Sequence, residues 1–133
     1  MVGKSNLKIL LKQMKPKIVN EEFVFCTISR TRFSELKISP LMMFSEEEGI
    51  TLIVKRKIAE NNSLSYFGVW AWIILTVHSN LSAIGFLSVI TDTLAKSKIS
   101  VNIVSAYYHD HLFVPIDKSD QALELLKGLT TME

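Results

Sequence analysis

At 133 residues the chain is long enough for one sizeable hydrophobic core, or for two small units that share one, so we expect one compact body. A net charge of +2, with no clustered basic stripe, excludes a typical nucleic-acid-binding surface. Hydrophobic residues make up 48% of the chain and charged residues only 21%, and this apolar surplus predicts an oligomer interface.

The compartment is indicated by one cysteine and by the lengths of the apolar segments. Cys26 cannot form an internal disulfide, which fits a reducing compartment. The longest apolar run, Val69 to Val77, has nine residues, far fewer than the ~20 that a membrane-spanning helix needs. Lysines interrupt the leucines near the N-terminus, so no signal peptide is indicated. We therefore expect a cytoplasmic protein without a membrane segment.

The first half of the chain predicts a helix followed by strands. Apolar residues recur at helical spacing from Leu7 to Met14, with Ser5 as the predicted N-cap and Pro16 as the stop. The next segment, Glu22 to Ile28, is typical of an inner strand with both faces buried.

The following residues predict a surface connection, a hairpin and a short helix. Arg30 to Ser39 shows no periodicity and ends before a proline, which favours an irregular connection. Two short strands follow, Leu41–Phe44 and Ile50–Val54, and Gly49 can adopt positive φ in the loop between them. The polar segment Lys55 to Ser65 favours a short helix.

The second half predicts a strand, a helix, two strands and a final helix. These elements are the apolar strand Trp70 to Val77, a helix from Ala83 to Ser97 with Ser82 as N-cap, the strands Val101–Ala106 and His111–Ile116, and a last helix capped by Asp117. This order indicates an α+β core.

One local cluster, His109-Asp110-His111, suggests metal binding or acid/base chemistry. The two histidines would share one face of a strand, but a third ligand would have to come from elsewhere. The alternative is a tight hairpin in which Asp110 bonds to its own backbone. The chain has no Gly-x-Ser-x-Gly elbow, phosphate loop or dinucleotide fingerprint. We therefore predict no catalytic residue, no metal site and no cofactor.

The loop from His78 to Gly85 leads from a buried strand into the start of a helix. First-turn amides of a helix have no internal partner and favour a carboxylate or another anion. Alternatively, Ser79, Asn80 and Ser82 satisfy these amides themselves.

An ordered series of motifs resembles the ACT domain, and more closely a subgroup of small bacterial proteins with tandem ACT-like units, related to the ACT domains of eukaryotic arginine sensors. The matching stretches are Phe23–Thr27, Glu48–Leu52, Leu75–Ser79 with Leu81 and Gly85, Ile99–Asn102, and Tyr107–Val114. Together they extend over nearly the whole chain.

The resemblance implies a ferredoxin-like α+β fold in which residues 1–66 form an N-terminal ACT-like unit and residues 67–133 form a C-terminal ACT domain. It also implies a homodimer that binds an amino acid or a similar metabolite at an interface between ACT units. The implied ligand-binding residues are His78, Ser79, Leu81 and Gly85 on one side, and Asn102 and Ile103 on the other.

Our leading interpretation is a ligand-binding regulatory module, not an enzyme, whose output is read by a protein partner. It predicts no nucleic-acid or membrane partner. A ligand-free oligomerisation or interaction domain is the alternative, in which the apolar surplus serves assembly alone. A third class is a hydrolase or metal enzyme that uses His109, Asp110 and His111.

Overall fold

The structure is a computed structural model that describes residues 6–131. Its elements are α1 (Leu7–Gln13), β1 (Pro16–Ile28), α2 (Arg30–Glu35), β2 (Met42–Ser45), β3 (Ile50–Lys55), α3 (Arg56–Asn61), β4 (Trp70–Leu75), α4 (Phe86–Lys96), β5 (Asn102–Ser105), β6 (Asp110–Pro115), a short 3-10 helix (Ile116–Lys118) and α5 (Ser119–Thr130). Helices alternate with antiparallel strands, which confirms the predicted α+β class. Between residues 6 and 131, no helix combines the length and apolar character needed to cross a membrane.

The described residues divide into two compact units. Residues 6–20 and 71–131 form one of them, here called the discontinuous unit, and residues 21–70 form the central unit. Strand β1 begins in the first and ends in the second. The discontinuous unit combines both ends of the chain because α1 packs against α4 and α5. The sequence boundary between residues 66 and 67 stays a prediction about domains in chain order.

In the discontinuous unit, three helices cover one face of a sheet with the strand order β4-β6-β5. Strand β4 alternates as its sequence predicts, since Ala71, Ile73 and Leu75 are buried and the residues between them are half-buried. The helices contribute the buried residues Leu10, Met14, Phe86, Ile90, Leu94, Ala122, Leu126 and Leu129. Each helix therefore uses the apolar stripe that its spacing predicts.

The central unit has the strand order β2-β3-β1 and a core of its own. Its buried residues are Val24, Cys26, Ile28, Ile50, Leu52, Val54, Ala59 and Leu64. Gly49 lies in the β2–β3 hairpin at φ +153°, where a Cβ would approach the carbonyl oxygen of Ile28 to 2.7 Å. The predicted positive φ at this glycine is confirmed.

Two expectations for the central unit are wrong. Residues 30–35 form α2 rather than an irregular connection, because the Ser29 hydroxyl accepts a 3.1 Å hydrogen bond from the Arg32 amide and Phe33 packs on the core. Six residues are too few for a periodic pattern to show. Strand β1 is also not buried on both faces throughout, since Thr27 is exposed beside the hairpin.

The observed helix starts differ from the predicted caps Ser82 and Asp117, and the third predicted cap lies outside the described residues. Ser5 lies outside the described residues, and Asn6 caps α1 by accepting a 3.2 Å hydrogen bond from the Ile9 amide. Ser82 does not cap α4, because residues 80–83 form a turn and the helix begins after Gly85. Asp117 does not cap α5, because it lies inside the 3-10 helix that precedes it.

Candidate functional site

A cleft of about 120 Å³ lies in the discontinuous unit, where the loop after β4 meets the start of α4. Its lining residues are Ser79, Asn80, Leu81, Ala83, Gly85, Phe86, Leu87, Ser88, Ser105 and Asp110. This volume corresponds to roughly four water molecules in the liquid. The cleft can therefore hold a small metabolite or part of a larger one.

The loop is shaped by Asn80 and Gly85. The Asn80 side chain accepts a 2.7 Å hydrogen bond from the Ser82 amide, and its carbonyl accepts a 2.9 Å bond from the Ala83 amide. Gly85 then adopts φ +86°, a left-handed conformation that glycine reaches without strain. These two residues hold the turn that brings the chain into α4 from the side of the cleft.

The first turn of α4 forms part of the cleft wall. Its N-cap is Gly85, which has no side chain to accept a hydrogen bond, and residues 86–88 line the cleft wall. Among the described residues, the amides of 86–88 have no hydrogen-bond acceptor. Free amides at a helix start, together with the helix dipole, favour an anionic group.

Another part of the cleft wall is a buried carboxylate. Asp110 is only 6% exposed, and its Oδ2 accepts a 3.2 Å hydrogen bond from the hydroxyl of Ser79, which is itself buried. Asp110 points to the helical face of the sheet because it is in phase with Leu112 and Val114 along β6. It lies opposite Ser105 in the β5–β6 pairing, and Ser105 also lines the cleft.

Aromatic and histidine rings follow one another from the loop after β4 to the start of β6. The centroid distances are 5.1 Å from His78 to Tyr108, 6.3 Å from His78 to His109 and 6.5 Å from His109 to His111. The indole N–H of Trp72 donates a 3.0 Å hydrogen bond to Nδ1 of His111. Burial, with a smaller contribution from His109, lowers the pKa of His111, and Asp110 partly opposes the shift.

The structure brings three of the six predicted ligand-binding residues together. Ser79, Leu81 and Gly85 line the cleft, whereas His78 contacts the ring of Tyr108 and is not part of the lining. Asn102 and Ile103 lie on β5, whose last residue, not its first two, reaches the cleft.

Sequence reasoning missed Asp110 as part of the cleft, and it placed the first-turn amides at a helix start at Ala83 rather than at Phe86. The expectation that Asp110 would bond to its own backbone in the hairpin is wrong, because β6 begins at this residue. Strand alternation was the available signal, since a polar residue in phase with Leu112 and Val114 must occupy the buried face.

Metal-binding and reactive side chains are dispersed in the part of the chain that the structure describes. Within residues 6–131, no group of three histidine, cysteine, aspartate or glutamate side chains is arranged to hold a metal ion. Cys26 is a free, buried thiol in the core of the central unit, and burial raises its pKa. A raised pKa disfavours the reactive thiolate.

Sequence models of the ACT domain match residues 2–71 and residues 70–128. The chain belongs to the ACT domain family. The predicted ferredoxin-like α+β fold with two ACT units is therefore confirmed. Both matched models describe a regulatory domain, and no curated protein sequence matches the chain.

Solved structures share the fold of this chain. A Vibrio cholerae protein of unknown function is 35% identical, covers 94% of this chain and 96% of its own, and superposes with a TM-score of 0.82. The regulatory subunit of aspartate kinase from Thermus flavus is 9% identical, with coverages of 86% and 95% and a TM-score of 0.61. Escherichia coli aspartokinase III in complex with aspartate and ADP is 13% identical, with coverages of 86% and 32% and a TM-score of 0.62.

Proposed function

We propose that this ACT-domain protein is a small regulatory module that binds an amino acid or a similar small metabolite in the cleft at the start of α4. The observation that carries the proposal is the cleft wall formed by residues 86–88, whose amides lack an acceptor among the described residues. Such a wall provides a ready binding site for a ligand carboxylate. The aspartokinase III neighbour, described in complex with aspartate, is in keeping with an amino-acid ligand.

Within this proposal the six predicted residues have different roles. Ser79, Leu81 and Gly85 shape the cleft itself. His78, Asn102 and Ile103 lie outside its lining and are proposed to contact a larger ligand or a second copy of the chain. We retain residues 1–66 and 67–133 as the two proposed ACT domains in chain order.

The proposal has no catalytic step, cofactor or metal. Ligand binding would stiffen the loop around Gly85, and a protein partner would read this change. We further propose that the protein acts as a homodimer in the cytoplasm, where its one cysteine stays reduced. It is not proposed to bind nucleic acid or membranes.

A ligand-free oligomerisation domain is the second candidate, and the exposed apolar side chains favour it. Phe67 is 95% exposed and Ile84 is 87% exposed, and Leu81, Phe44 and Tyr107 are each more than half exposed. Exposed side chains of this size are typical of surfaces that become covered on assembly. This candidate requires assembly but no occupant in the cleft.

A thermal-shift screen of the purified protein against the 20 common amino acids separates the two candidates. A ligand at a hundred times its Kd adds ~2.7 kcal/mol to stability. For a domain of this size the midpoint should then rise by about 10 °C. Ser79→Ala, which alters the cleft, should reduce the shift, whereas the exposed control Ser100→Ala should not. A flat screen with a dimeric protein would refute binding of a common amino acid and support the assembly role.

A further inference from the structure

Among the described residues, Asp110 is the one acidic side chain in the cleft lining, and it has few partners there. It is 6% exposed, and the one hydrogen bond that its carboxylate accepts from these residues comes from the Ser79 hydroxyl at 3.2 Å. Within residues 6–131, no lysine, arginine or histidine forms an ion pair with it. The buried carboxylate of Asp110 therefore has no ion-pair partner in this part of the chain.

Burial of a carboxylate is costly unless donors or a cation replace the lost water. An ionised carboxylate can accept about four hydrogen bonds, and one hydroxyl supplies only one of them. Asp110 lines the cleft, so a bound ligand can supply the hydrogen-bond donors that its carboxylate still lacks. A ligand ammonium group meets this need, because it carries three N–H donors and a full positive charge.

The start of α4, in the same cleft, favours an anion where Asp110 favours a cation. The amides of residues 86–88 favour an anion, and they share a volume of about 120 Å³ with Asp110. Because both groups line one small cleft, a single bound molecule can contact both of them. A ligand that satisfies both must carry a carboxylate and an ammonium group close together.

We propose that Asp110 is the ammonium-recognising residue of the cleft, so that the site selects small zwitterionic amines and rejects acids of equal size that lack the amine. The inference rests on the proposed function, because it states what the same cleft selects. Ser79 is a positioning residue, since its hydroxyl holds Oδ2 of Asp110. The site discriminates through one charged group, and no covalent step is involved.

The test pairs amino acids with their deaminated counterparts. The ¹⁵N-labelled full chain is titrated with glycine, L-alanine and L-serine, and separately with acetate, propionate and 3-hydroxypropionate, while the amide signals of residues 86–88 are followed by NMR. A charge-assisted hydrogen bond corresponds to about a 10- to 100-fold change in Kd. At least one amino acid should therefore bind 10- to 100-fold more tightly than its deaminated partner.

The variant Asp110→Asn keeps an oxygen acceptor for Ser79 but removes the charge. It should abolish the preference for the amine by weakening amino-acid binding 10- to 100-fold, without weakening binding of the deaminated acid. The exposed carboxylate variant Asp120→Asn is the matched control and should behave as wild type. Ser79→Ala keeps the charge and should retain a preference for the amine.

The outcomes separate this inference from the proposed function. Equal binding of amino acids and deaminated acids by the wild-type protein would overturn the role of Asp110 while the cleft remained a ligand site. Unchanged amino-acid binding by a folded Asp110→Asn variant would do the same. If this variant does not fold, the wild-type comparison of paired ligands still decides. Failure of all six probes to bind would overturn the inference, while the wider amino-acid screen judges the function itself.

Discussion

Replacement of Gly49 by alanine should destabilise the protein by at least about 2 kcal/mol. The residue has φ +153°, and a conformation of this kind costs a residue with a side chain about 1–3 kcal/mol. The added Cβ would also lie 2.7 Å from the backbone carbonyl oxygen of Ile28. This oxygen belongs to β1, in the register where Ile28 pairs with Ile50, so it cannot move without disturbing the sheet.

The effect can be measured by thermal and urea unfolding. With 133 residues, the entropy of unfolding is about 0.28 kcal/mol/K, so a loss of about 2 kcal/mol lowers Tm by about 7 °C. Gly128→Ala is the matched control, because Gly128 lies in α5 and a Cβ there meets no atom within 4 Å. Alanine is favoured over glycine in a helix by about 0.5–1 kcal/mol, so this variant should gain about 2–4 °C.

Replacement of glycine by alanine should therefore lower the stability at position 49 and raise it at position 128. A Gly49→Ala protein as stable as wild type would refute the described hairpin geometry. A large loss of stability in Gly128→Ala would refute the open surroundings described for α5.

Two further predictions concern the residues beside the cleft. The free energy of unfolding should fall as the pH drops below about 6.5, the pKa of histidine in the unfolded chain. Burial lowers the pKa of His111 in the folded state, so the folded protein resists protonation of this ring. The hydrogen bond from Trp72 also requires an unprotonated Nδ1. Urea unfolding at pH 7.5 and 5.5 should show a smaller loss in His111→Asn. Gly85→Ala should cost about 1–2 kcal/mol in the same assay, because φ is +86° there but the nearest atom, in the side chain of Leu7, is 3.7 Å away.

One result would contradict each of the predictions for His111 and Gly85. An equal pH dependence in His111→Asn and wild type would show that His111 does not cause the loss. A loss at Gly85 as large as the loss at Gly49 would indicate a clash that the described geometry does not contain.

Secondary structure could be predicted where a segment was long enough to show its period. Strand β4 and helices α1, α4 and α5 have clear patterns, and each buries the face that its pattern predicts. Helix α2 was missed because six residues hold less than two turns, and its formation depends on the Ser29 cap and the packing of Phe33. A capping hydrogen bond of this kind does not appear as hydrophobic periodicity in the sequence.

The cleft was predicted only in part, because it depends on both local sequence and strand pairing. The loop from Ser79 to Gly85 could be found from the change between strand and helix periods. Its pairing with Asp110 could not, because a contact across 31 positions depends on how the strands align. The start of α4 was placed three residues early, since Ser82 is a typical cap but the Asn80 turn delays the helix.

The discontinuous unit has a consequence for how the protein is made. When the first 70 residues have been synthesised, the residues of α1 are present. The residues of α4 and α5, against which α1 packs, have not yet been made. The apolar side chains of Leu10 and Met14 therefore stay exposed until α4 and α5 have been synthesised and can cover them. The central unit has all its core residues by residue 70 and can form earlier on the ribosome. Synthesis thus favours an order in which the middle of the chain folds before its beginning.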